Sequence, residues 1–398
     1  MTPFTSASEI DAQSTEPGSD AGAPAAEGVA VEREAQLVAW LREQGSVAVG
    51  FSGGVDSSYL ACVALDTLGP DNVVAVIGRS ATYPAVQWER ARAVADRFGV
   101  PVLEVDTDEL HDPRYAANPT NRCYFCKSEL WSRVLPVARA QGMNVVLDGT
   151  NADDIQGHRP GRRAADEQGV RSPLAELGFS KDDIRLLSRL REIPTWSQPA
   201  SPCLASRLPY GTAVTTERLA RVERAEDALR ALGIRGDMRV RDHDDVARVE
   251  LAREELDGWL APMKWAEFAS AIRRAGFPRA ALDLGGFRSG SLNLLGGAPS
   301  RPAASTNSLS SASQTVDGTR DAPADRANTS SSLAAALHDQ GIDCVVEARG
   351  SLVLLALKHG QPGDSTSFTN SAGRGAILTA ARDHGFTNVA LELRGEDG

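Results

Sequence analysis

The stretch Val47-Ala48-Val49-Gly50-Phe51-Ser52-Gly53-Gly54-Val55-Asp56-Ser57-Ser58 decides how this chain folds. Its apolar start predicts a buried parallel strand, and the apolar periodicity of Tyr59 to Leu68 predicts that a helix opens at Asp56. Two adjacent glycines let backbone N–H groups approach an anion closely, and the start of a helix carries partial positive charge. The pattern therefore predicts a phosphate-binding loop. A glycine-rich turn without a ligand is the alternative interpretation.

The side chains of this loop suit the phosphates of a nucleotide. Ser52, Ser57 and Ser58 can donate hydroxyl hydrogen bonds to phosphate oxygens, and Asp56 can hold a magnesium ion that bridges them. The loop lacks the Gly-Lys-Ser/Thr ending of P-loop NTPases and the glycine spacing of a dinucleotide-binding turn. It resembles the pyrophosphatase loop of the N-type ATP pyrophosphatases, which split ATP into AMP and pyrophosphate to adenylate a substrate. That resemblance implies ATP and Mg²⁺ bound by Ser52, Gly53, Gly54, Asp56, Ser57 and Ser58.

Strands and helices alternate on both sides of the loop, which predicts an α/β fold with a doubly wound parallel sheet. Such sheets bind ligands at the carboxyl ends of their strands, where this loop falls. The predicted strands are Val47–Gly50, Asn72–Ile77, Val100–Val105 and Asn144–Leu147. The predicted helices are Glu32–Gln44, Tyr59–Leu68, Ala85–Phe98 and Lys127–Gln141.

Length, composition and net charge are those of an ordinary globular protein and argue against a nucleic-acid-binding or membrane-spanning one. The chain has 398 residues, which leaves room for two or three domains, and 42% of them are hydrophobic. The net charge of −11 argues against a nucleic-acid partner, because phosphates demand a basic surface. No segment offers the 18 or so apolar residues of a membrane span, and the N-terminus lacks a signal pattern. A cytoplasmic protein without a membrane partner, and a homo-oligomer, is expected.

Carboxylates and arginines follow the fourth predicted strand. Asp153 and Asp154, within Asp148-Gly149-Thr150-Asn151-Ala152-Asp153-Asp154, suit magnesium or a ribose, and an Asp-rich helix cap is the alternative. The basic stretch Arg159-Pro160-Gly161-Arg162-Arg163 is a candidate site for an anionic substrate. On charge alone, a solvated helix face fits it equally well.

Three of the five cysteines are candidates for a second functional site. Cys123 and Cys126 make a C-x-x-C just before a predicted helix, and Cys203 lies in a proline-rich loop. The C-x-x-C spacing can bind zinc, exchange disulfides or ligate an iron–sulfur cluster. Zinc needs a fourth ligand, and a redox pair does not require Cys203, whereas three thiolates suit a cluster with one open iron. Spacing alone leaves cluster, zinc and redox pair open.

From Thr216 the pattern changes to a small α+β module. We predict a helix Glu217–Leu232, strands Met238–Arg241 and Val246–Leu251, a helix Trp259–Ala275 and a strand Arg279–Leu284. Arg239 and Arg241 alternate along one face of the first strand, with Arg248 and Glu250 on the strand opposite. This face can present charge to a phosphate, and an exposed antiparallel face is the alternative.

The C-terminal part repeats this module. The segment Leu333–Ile342 parallels Leu229–Ile234, and Ala380–Leu393 parallels Ala271–Leu284, which indicates an internal duplication. When the isoleucines are matched, Glu347 replaces Arg239, so the repeat is a degenerate binding surface and is expected to be dispensable for the chemistry. The predicted divisions are a disordered tail 1–30, an ATP pyrophosphatase domain 31–210, a substrate and oligomerisation module 211–297, a disordered linker 298–332 and the repeat 333–398.

Together the motifs resemble the ATP-dependent sulfur transferases that build the nickel-pincer cofactor of lactate racemase, the pyridinium-3,5-biscarboxylic acid mononucleotide sulfurtransferases. The match runs from about Glu32 to Asn293. Its motifs are Ser-Gly-Gly-Val-Asp-Ser, Asn-Pro-x-x-Arg-Cys-Tyr-x-Cys-Lys, Asp-Gly-Thr-Asn-x-Asp-Asp, Arg-Pro-Gly, Val-Arg-Ser-Pro-Leu, Cys-Leu-Ala-Ser-Arg and Arg-Ser-Gly-Ser-x-Asn. Gly157 departs from the acidic residue expected there, and Phe287 stands where a Tyr is usual.

The resemblance implies a two-step reaction and a role for each motif. ATP adenylates a carboxylate of a nicotinate-derived mononucleotide, and sulfur then displaces AMP to give a thiocarboxylate. Members with the third cysteine alone sacrifice its sulfur, whereas those with the C-x-x-C resemble carriers of a [4Fe-4S] cluster, here on Cys123, Cys126 and Cys203. The implied catalytic residues are Cys203, Asp56 and Arg207. Nucleotide contacts extend to Gly149 and Asp153, and substrate contacts are implied for Glu223, Arg239, Arg241 and Arg288. A tRNA thiolase is the alternative enzyme, and net charge argues against it.

Overall fold

The fold was obtained as a computed structural model and is described for residues 23–155, 159–288, 323–358 and 365–393. The helices of these ranges are α1 (Ala23–Gln44), α2 (Val55–Leu68), α3 (Ala85–Phe98), α4 (Pro113–Ala116), α5 (Arg122–Ala140), α6 (Pro160–Glu167), α7 (Pro173–Glu176), α8 (Lys181–Leu190), α9 (Thr216–Ala231), α10 (Arg253–Trp259), α11 (Trp265–Ala275), α12 (Pro323–Asp339), α13 (Ser365–Thr369) and α14 (Ser371–Asp383). The strands are β1 (Val47–Gly50), β2 (Val73–Arg79), β3 (Val102–Asp106), β4 (Val145–Leu147), β5 (Met238–His243), β6 (Val246–Leu251), β7 (Arg279–Asp283), β8 (Cys344–Arg349), β9 (Leu352–Leu357) and β10 (Asn388–Leu393).

The first four strands form a parallel sheet in the order β3-β2-β1-β4. Strand β1 is central, and Val47 pairs with Val73 on one side and with Val145 on the other. The chain moves outward from β1 to β3 and then crosses back to β4, so the strand order reverses between β1 and β4. Ligands of doubly wound sheets bind at this switch point, beyond the carboxyl ends of the strands.

Apolar clusters fill both faces of this sheet, because side chains of the parallel strands are buried on alternate sides. One cluster joins α1 and α2 to the sheet through residues such as Leu37, Tyr59 and Leu60, all with no exposed surface. The other joins α5 to the opposite face through Trp131 and Val134. Helices on both faces confirm the predicted α/β class.

The module after residue 215 and its repeat share one six-stranded sheet, in the order β5-β6-β7-β10-β9-β8. Each half has the same pairing, with two antiparallel strands followed by a parallel third. The halves join through the antiparallel pair β7 and β10, in which Leu282 lies opposite Leu391. Asp283 pairs with Ala390 and Ala281 with Glu392, so a pseudo-two-fold axis passes through the two leucines. The duplication indicated by the sequence therefore appears in the structure as two three-stranded halves related by a pseudo-two-fold axis.

The pairing register corrects our alignment of the repeat. Arg239 pairs with Glu250 in the first half, and Val345 pairs with Ala356 in the same place of the second half. Val345, not Glu347, is therefore the counterpart of Arg239. Matching the isoleucines was wrong by two residues, because the segment between Ile342 and β8 is two residues shorter than the one between Ile234 and β5.

Several boundaries differ from the sequence expectation. The helix predicted over Trp259–Ala275 begins only at Trp265, after a 3-10 turn at Pro262–Lys264, because Pro262 cannot donate a helical hydrogen bond. Trp259 instead ends α10, a helix that was not predicted. Cys123 and Cys126 lie inside the first turns of α5, not before the helix. Helix α1 begins at Ala23, within the predicted tail, and α12 begins at Pro323, within the predicted linker. The rest of both segments, Gly157 and the Ser-Gly-Ser-x-Asn end of the Arg-Ser-Gly-Ser-x-Asn motif lie outside the described residues.

Candidate active site

The loop from Phe51 to Gly54 joins β1 to α2 at the switch point of the parallel sheet. Gly53 has a φ of +67°, and a Cβ there would lie 2.7 Å from the Cα of Ala91, so a side chain has neither the conformation nor the space. The N-cap residue Gly54 gives α2 no side-chain cap. The first N–H groups of α2 are therefore left to a ligand, as in anion sites at helix starts.

The hydroxyls of the loop differ in their surroundings. Ser52 N donates to Ser57 Oγ at 3.2 Å, and the two hydroxyl oxygens are also 3.2 Å apart. Ser58 is completely buried, and its Oγ has no hydrogen-bond partner in the described structure. Ser52 and Ser57 are thus placed as a pair beside the uncapped helix start, whereas Ser58 points into protein.

Asp56 lies in the first turn of α2 and forms an ion pair with Lys181 at the start of α8. Lys181 Nζ is 2.6 Å from Asp56 Oδ2, and Asn151 Nδ2 donates to Asp56 Oδ1 at 3.3 Å. The backbone N–H of Lys181 donates to Asp153 Oδ2 at 2.7 Å. Lys181 therefore contacts both carboxylates, Asp56 through its ammonium group and Asp153 through its backbone N–H.

The segment after β4 is held against this loop by its own hydrogen bonds. Asp148 accepts from Thr150 and from Ser172 Oγ, and Asn151 Oδ1 accepts from the N–H groups of Asp153 and Asp154. A Cβ on Gly149 would lie 3.0 Å from Ser57 N, so this segment touches the start of α2. The aspartates act here partly as caps, which was the alternative interpretation of the motif.

Arg122 ties the segment of Cys123 and Cys126 to the loop of Cys203. Its NH1 donates to Ala205 O at 2.8 Å, and it also bonds Asn118 Oδ1; Arg122 is 5% exposed. Asn118 in turn donates to Pro209 O at 2.7 Å. The Asn-Pro-x-x-Arg part of the motif therefore brings together cysteines that lie about 80 positions apart in the sequence.

The three thiols are neighbours. Desolvation, Glu109 and Cys203 raise the pKa of Cys126, and desolvation followed by Cys203 raises the pKa of Cys123. Cys123, Cys126 and Cys203 are free thiols. As they stand, however, no group of three or more His, Cys, Asp or Glu in the described ranges is arranged to hold a metal ion.

A tyrosine completes the surroundings of the cysteines. Tyr115 is 1% exposed and belongs to the same apolar cluster as Leu204 and Ala205. Cys126 and Cys203 pack against this cluster. The Tyr115 hydroxyl has no hydrogen-bond partner in the described part of the chain, and burial, followed by the nearby Cys203 and Cys126, raises its pKa. A buried hydroxyl without a partner costs free energy, so Tyr115 retains a hydrogen bond that it can donate to a bound group.

Arg207 is a buried clamp and not a free cation. Its Nε and NH2 donate to the two carboxylate oxygens of Glu226 at 2.9 and 3.0 Å, and its NH1 donates to Pro202 O at 2.6 Å. The two side chains are 2% and 4% exposed. The pair fastens the Cys203 loop to α9, since the same guanidinium holds both.

Arg239 is buried without a carboxylate partner in the described residues. It is 7% exposed and donates to two backbone carbonyls, Met238 O and Ala200 O, each at 2.7 Å. Its guanidinium lies 4.9 Å above the ring of Phe287. Burial, together with repulsion from Arg207, lowers the pKa of Arg239 to about 10. Burial disfavours the charged form of the Arg239 side chain, and an anion bound beside it would stabilise that charge.

Arg241 and Arg248 belong to one buried charge network. Arg241 donates to Glu250 Oε2 at 2.8 and 3.1 Å and to Ser206 O at 2.8 Å. Arg248 NH2 is 3.0 Å from Glu250 Oε1. These side chains are buried, so the alternative of an exposed antiparallel face was wrong.

The remaining candidates are placed differently. Glu223 Oε1 accepts from Ala85 N at 2.7 Å, so it caps the start of α3. Arg288 lies beside Gly285, and its buried Nε has no partner within the described ranges. The arginines of the basic stretch pair with neighbouring acids, namely Arg159 with Asp154, Arg162 with Asp166 and Arg163 with Glu167. That pairing favours a solvated helix face.

Sequence reasoning missed Lys181, Glu226 and Tyr115. Lys181 lies 125 positions from Asp56, and only the packing of α2 against α8 brings them together. For Glu226 the one available signal is an acid on the apolar side of α9. Tyr115 precedes the Asn-Pro-x-x-Arg-Cys motif by three residues, and nothing in its neighbourhood marks it.

Comparison with known proteins adds the following. Residues 32–144 match the NAD synthase family. An uncharacterized protein of Synechocystis sp. is 46% identical over 245 residues, which are 62% of this chain and 91% of that protein. The pyridinium-3,5-bisthiocarboxylic acid mononucleotide synthase of Lactiplantibacillus plantarum is 38% identical over 265 residues, which are 66% of this chain and 94% of that protein. An ammonia-dependent NAD(+) synthetase of Methanosarcina mazei is 38% identical over 74 residues, 18% of this chain and 29% of that protein. Among the described helices, none is long and apolar enough to cross a membrane.

Proposed function

The chain belongs to the family of the pyridinium-3,5-bisthiocarboxylic acid mononucleotide synthase, and from this premise we propose that it is an ATP-dependent sulfur transferase. Its substrate is pyridinium-3,5-biscarboxylic acid mononucleotide, of which a carboxylate becomes a thiocarboxylate. The observation that carries the proposal is the position of the Cys203 loop. Leu204 N donates to Thr82 O at 2.8 Å, next to Tyr83, whose hydroxyl reaches Ser52 O. Arg239 and Arg241 hold the same loop from the other side.

The first step activates the carboxylate. A substrate carboxylate oxygen attacks the α-phosphorus of ATP, an O–P bond forms, and pyrophosphate leaves with its bonding electron pair. Ser52, Ser57 and the first N–H groups of α2, with Gly53 and Gly54 allowing close approach, bind the departing pyrophosphate. Gly149 has no side chain to cover the N–H of Ser57, which a Cβ there would approach to 3.0 Å. The side chain of Ser58 is completely buried and its hydroxyl has no partner in the described structure, so we assign it no contact with the pyrophosphate.

Asp56 and Asp153 are the side chains that would hold Mg²⁺. Hard carboxylate oxygens suit this ion, which usually takes one or two carboxylates and completes its shell with phosphates and water. The ion neutralises phosphate charge in such sites. Lys181, which now lies between the two carboxylates, is free to turn to a phosphate oxygen when the nucleotide supplies negative charge.

The mononucleotide binds at the arginines of the second module. Its phosphate and carboxylates are anions, and Arg239 is a buried cation without a carboxylate partner among the described residues. Arg241 and Arg288 extend the positive surface, while Arg207 and Glu223 hold the Cys203 loop and α3 around it. A guanidinium presents paired donors to phosphate and carboxylate, which explains why arginine, not lysine, serves here.

The second step transfers sulfur at Cys203. A sulfur nucleophile attacks the carbonyl carbon of the acyl adenylate, a C–S bond forms, and the C–O bond to AMP breaks. Cys123, Cys126 and Cys203 would hold the [4Fe-4S] cluster, whose free iron would carry a replaceable sulfide. Three free thiols from two segments and the unsatisfied Tyr115 hydroxyl fit such a group chemically. Sacrificial donation from Cys203 is the competing source of sulfur. A cytoplasmic location and a homo-oligomeric state remain predictions.

Pyrophosphate release tests the proposed function. The purified chain should release pyrophosphate from ATP only when the mononucleotide is present, and the product should be heavier by the difference between sulfur and oxygen. Asp56→Ala should abolish the release, whereas Asp66→Ala should not, because Asp66 lies on the same helix and pairs with Arg191 at the surface. Undiminished turnover of the Asp56 variant would contradict the assignment.

A further inference from the structure

Within the described ranges, Asn388 on β10 joins the repeat to the buried charge network of the candidate substrate site. Arg248 is completely buried, and its NH1 donates to Asp283 Oδ2 at 2.5 Å and to Asn388 Oδ1 at 3.0 Å. Asn388 is itself 2% exposed. The NH1 group of a first-module guanidinium therefore donates to an amide oxygen of the second.

The same guanidinium connects this contact to the substrate arginine. Arg248 NH2 is 3.0 Å from Glu250 Oε1, and Glu250 Oε2 accepts from Arg241 at 2.8 and 3.1 Å. The contact between Arg248 and Glu250 is an ion pair without hydrogen-bond geometry, whereas Arg241 is hydrogen-bonded to Glu250. Glu250 is 1% exposed, so salt screens these contacts little. An unbroken series of buried contacts thus runs from Asn388 to Arg241, across β10, β7, β6 and β5.

The internal symmetry shows that this contact is specific to one side. Across the pseudo-two-fold axis, Arg279 occupies the place that Asn388 has in the repeat. On that side Arg279 donates directly to Glu392 at 2.6 Å, and Leu354 stands where Arg248 stands in the first module. The backbone keeps the symmetry, whereas the side chains break it at Arg248 and Asn388. An arginine in place of Asn388 would set two guanidinium groups against each other.

We propose that Asn388 is a positioning residue for the substrate, because through Arg248 and Glu250 it fixes the orientation of the Arg241 guanidinium. The inference rests on the proposed function, in which Arg241 faces the anionic mononucleotide. Removing the amide oxygen leaves a buried N–H of Arg248 without a partner, and Arg248 then competes with Arg241 for Glu250. The repeat is accordingly part of the substrate site, in contrast to the sequence expectation that it is dispensable.

The full-length chain with Asn388→Leu tests this role, because leucine keeps the branched shape of the side chain and removes the acceptor. The KM for the mononucleotide should rise about tenfold, the effect of one lost charge-assisted hydrogen bond, while kcat and the KM for ATP stay within about twofold. Asn388→Asp, which keeps an acceptor oxygen, should behave like the wild type. Glu392→Gln is the matched control, since it weakens a pair on the same strand and at the same junction that does not lead to Arg241.

Calorimetric binding of the mononucleotide without ATP separates this inference from the proposed function. The Leu variant should bind the mononucleotide more weakly, even if the wild type proves not to release pyrophosphate. An unchanged KM and affinity in the Leu variant, or an equal loss in the Glu392 control, would overturn the role of Asn388. A wild type that does not bind the mononucleotide overturns both proposals. If the Leu variant does not fold, Arg248→Lys gives the same test, because lysine keeps the charge and loses the paired geometry.

Discussion

Lys181 Nζ lies 2.6 Å from Asp56 Oδ2, and this ion pair joins the start of α8 to the start of α2. The pair occupies the edge of the phosphate-binding loop. An ammonium group at that place is positioned to move from a carboxylate to a phosphate when a nucleotide arrives.

Lys181→Met should lower the rate of pyrophosphate release about a hundredfold, the magnitude of losing one donor to developing charge. Lys181→Arg should keep part of the activity, because it restores a cation at similar reach. Arg33→Gln is the control, since Arg33 forms an ion pair of the same length with Asp183 on α8 and is equally exposed, 32% against 33%. Steady-state kinetics with ATP as the varied substrate measures the effect. Equal losses in the Lys181 and Arg33 variants would point to a structural role of α8.

The source of the sulfur can be decided by mass. If Cys123, Cys126 and Cys203 hold a cluster, the anaerobic protein should be brown, and added sulfide should support several turnovers without a change in chain mass. Serine at each of the three positions should abolish iron binding. Serine at Cys62 or Cys344 should not, because both are buried away from the site. A chain that becomes lighter by one molecule of hydrogen sulfide at Cys203 after turnover would establish sacrificial donation instead.

The clamp between Arg207 and Glu226 should contribute strongly to stability. Glu226→Gln leaves a buried guanidinium without its counter-charge, so the free energy of unfolding should fall by about 3–5 kcal/mol. Urea denaturation measures it. Glu167→Gln is the matched control, since its pair with Arg163 is at the surface and should change stability little. A similar small effect in both variants would show that the buried pair is no more than neutral.

His243 should make the second module sensitive to acid. Burial, and then the charges of Arg248, Arg241 and Arg349, lower the pKa of His243 to about 3. Below pH 6.5 the imidazole is protonated in the unfolded chain but stays neutral in the folded chain. The contribution of His243 to the free energy of unfolding is therefore fully present above pH 6.5 and is lost as the pH falls toward 3. His243→Gln should flatten this dependence, because glutamine stays neutral. Chemical denaturation at pH 5 and pH 7 compares the two chains, and an identical pH dependence would exclude His243 as the source.

The sequence predicted helices and strands well where the apolar residues follow a single helical or strand period. Helix α3 begins and ends at the predicted residues, and the four parallel strands lie within about two residues of their predicted limits. The Ser52 loop was recognisable because glycine spacing, strand and helix all indicate one geometry. By contrast, the interruption at Pro262 was missed because apolar residues continue on both sides of it.

The side chains of the site were harder to predict than its backbone. From the sequence, Arg207 was expected to face the substrate, yet it donates two hydrogen bonds to the carboxylate of Glu226 on α9. Lys181 carries no motif, and its pairing with Asp56 depends on two helices meeting in space. The repeat was detected, but its alignment failed because a shorter connection shifts β8 by two residues. Contacts between distant segments decide these points, and a single sequence does not encode them locally.

The axis through Leu282 and Leu391 has an evolutionary consequence. Where two identical subunits meet on such an axis, each mutation is copied into both halves, so an improvement on one side imposes the same change on the other. Here the halves are written by separate stretches of one gene. Arg248 and Leu354 can therefore differ although they occupy matching positions, and so can Arg279 and Asn388. Joining the halves in one chain freed one of them to serve the other.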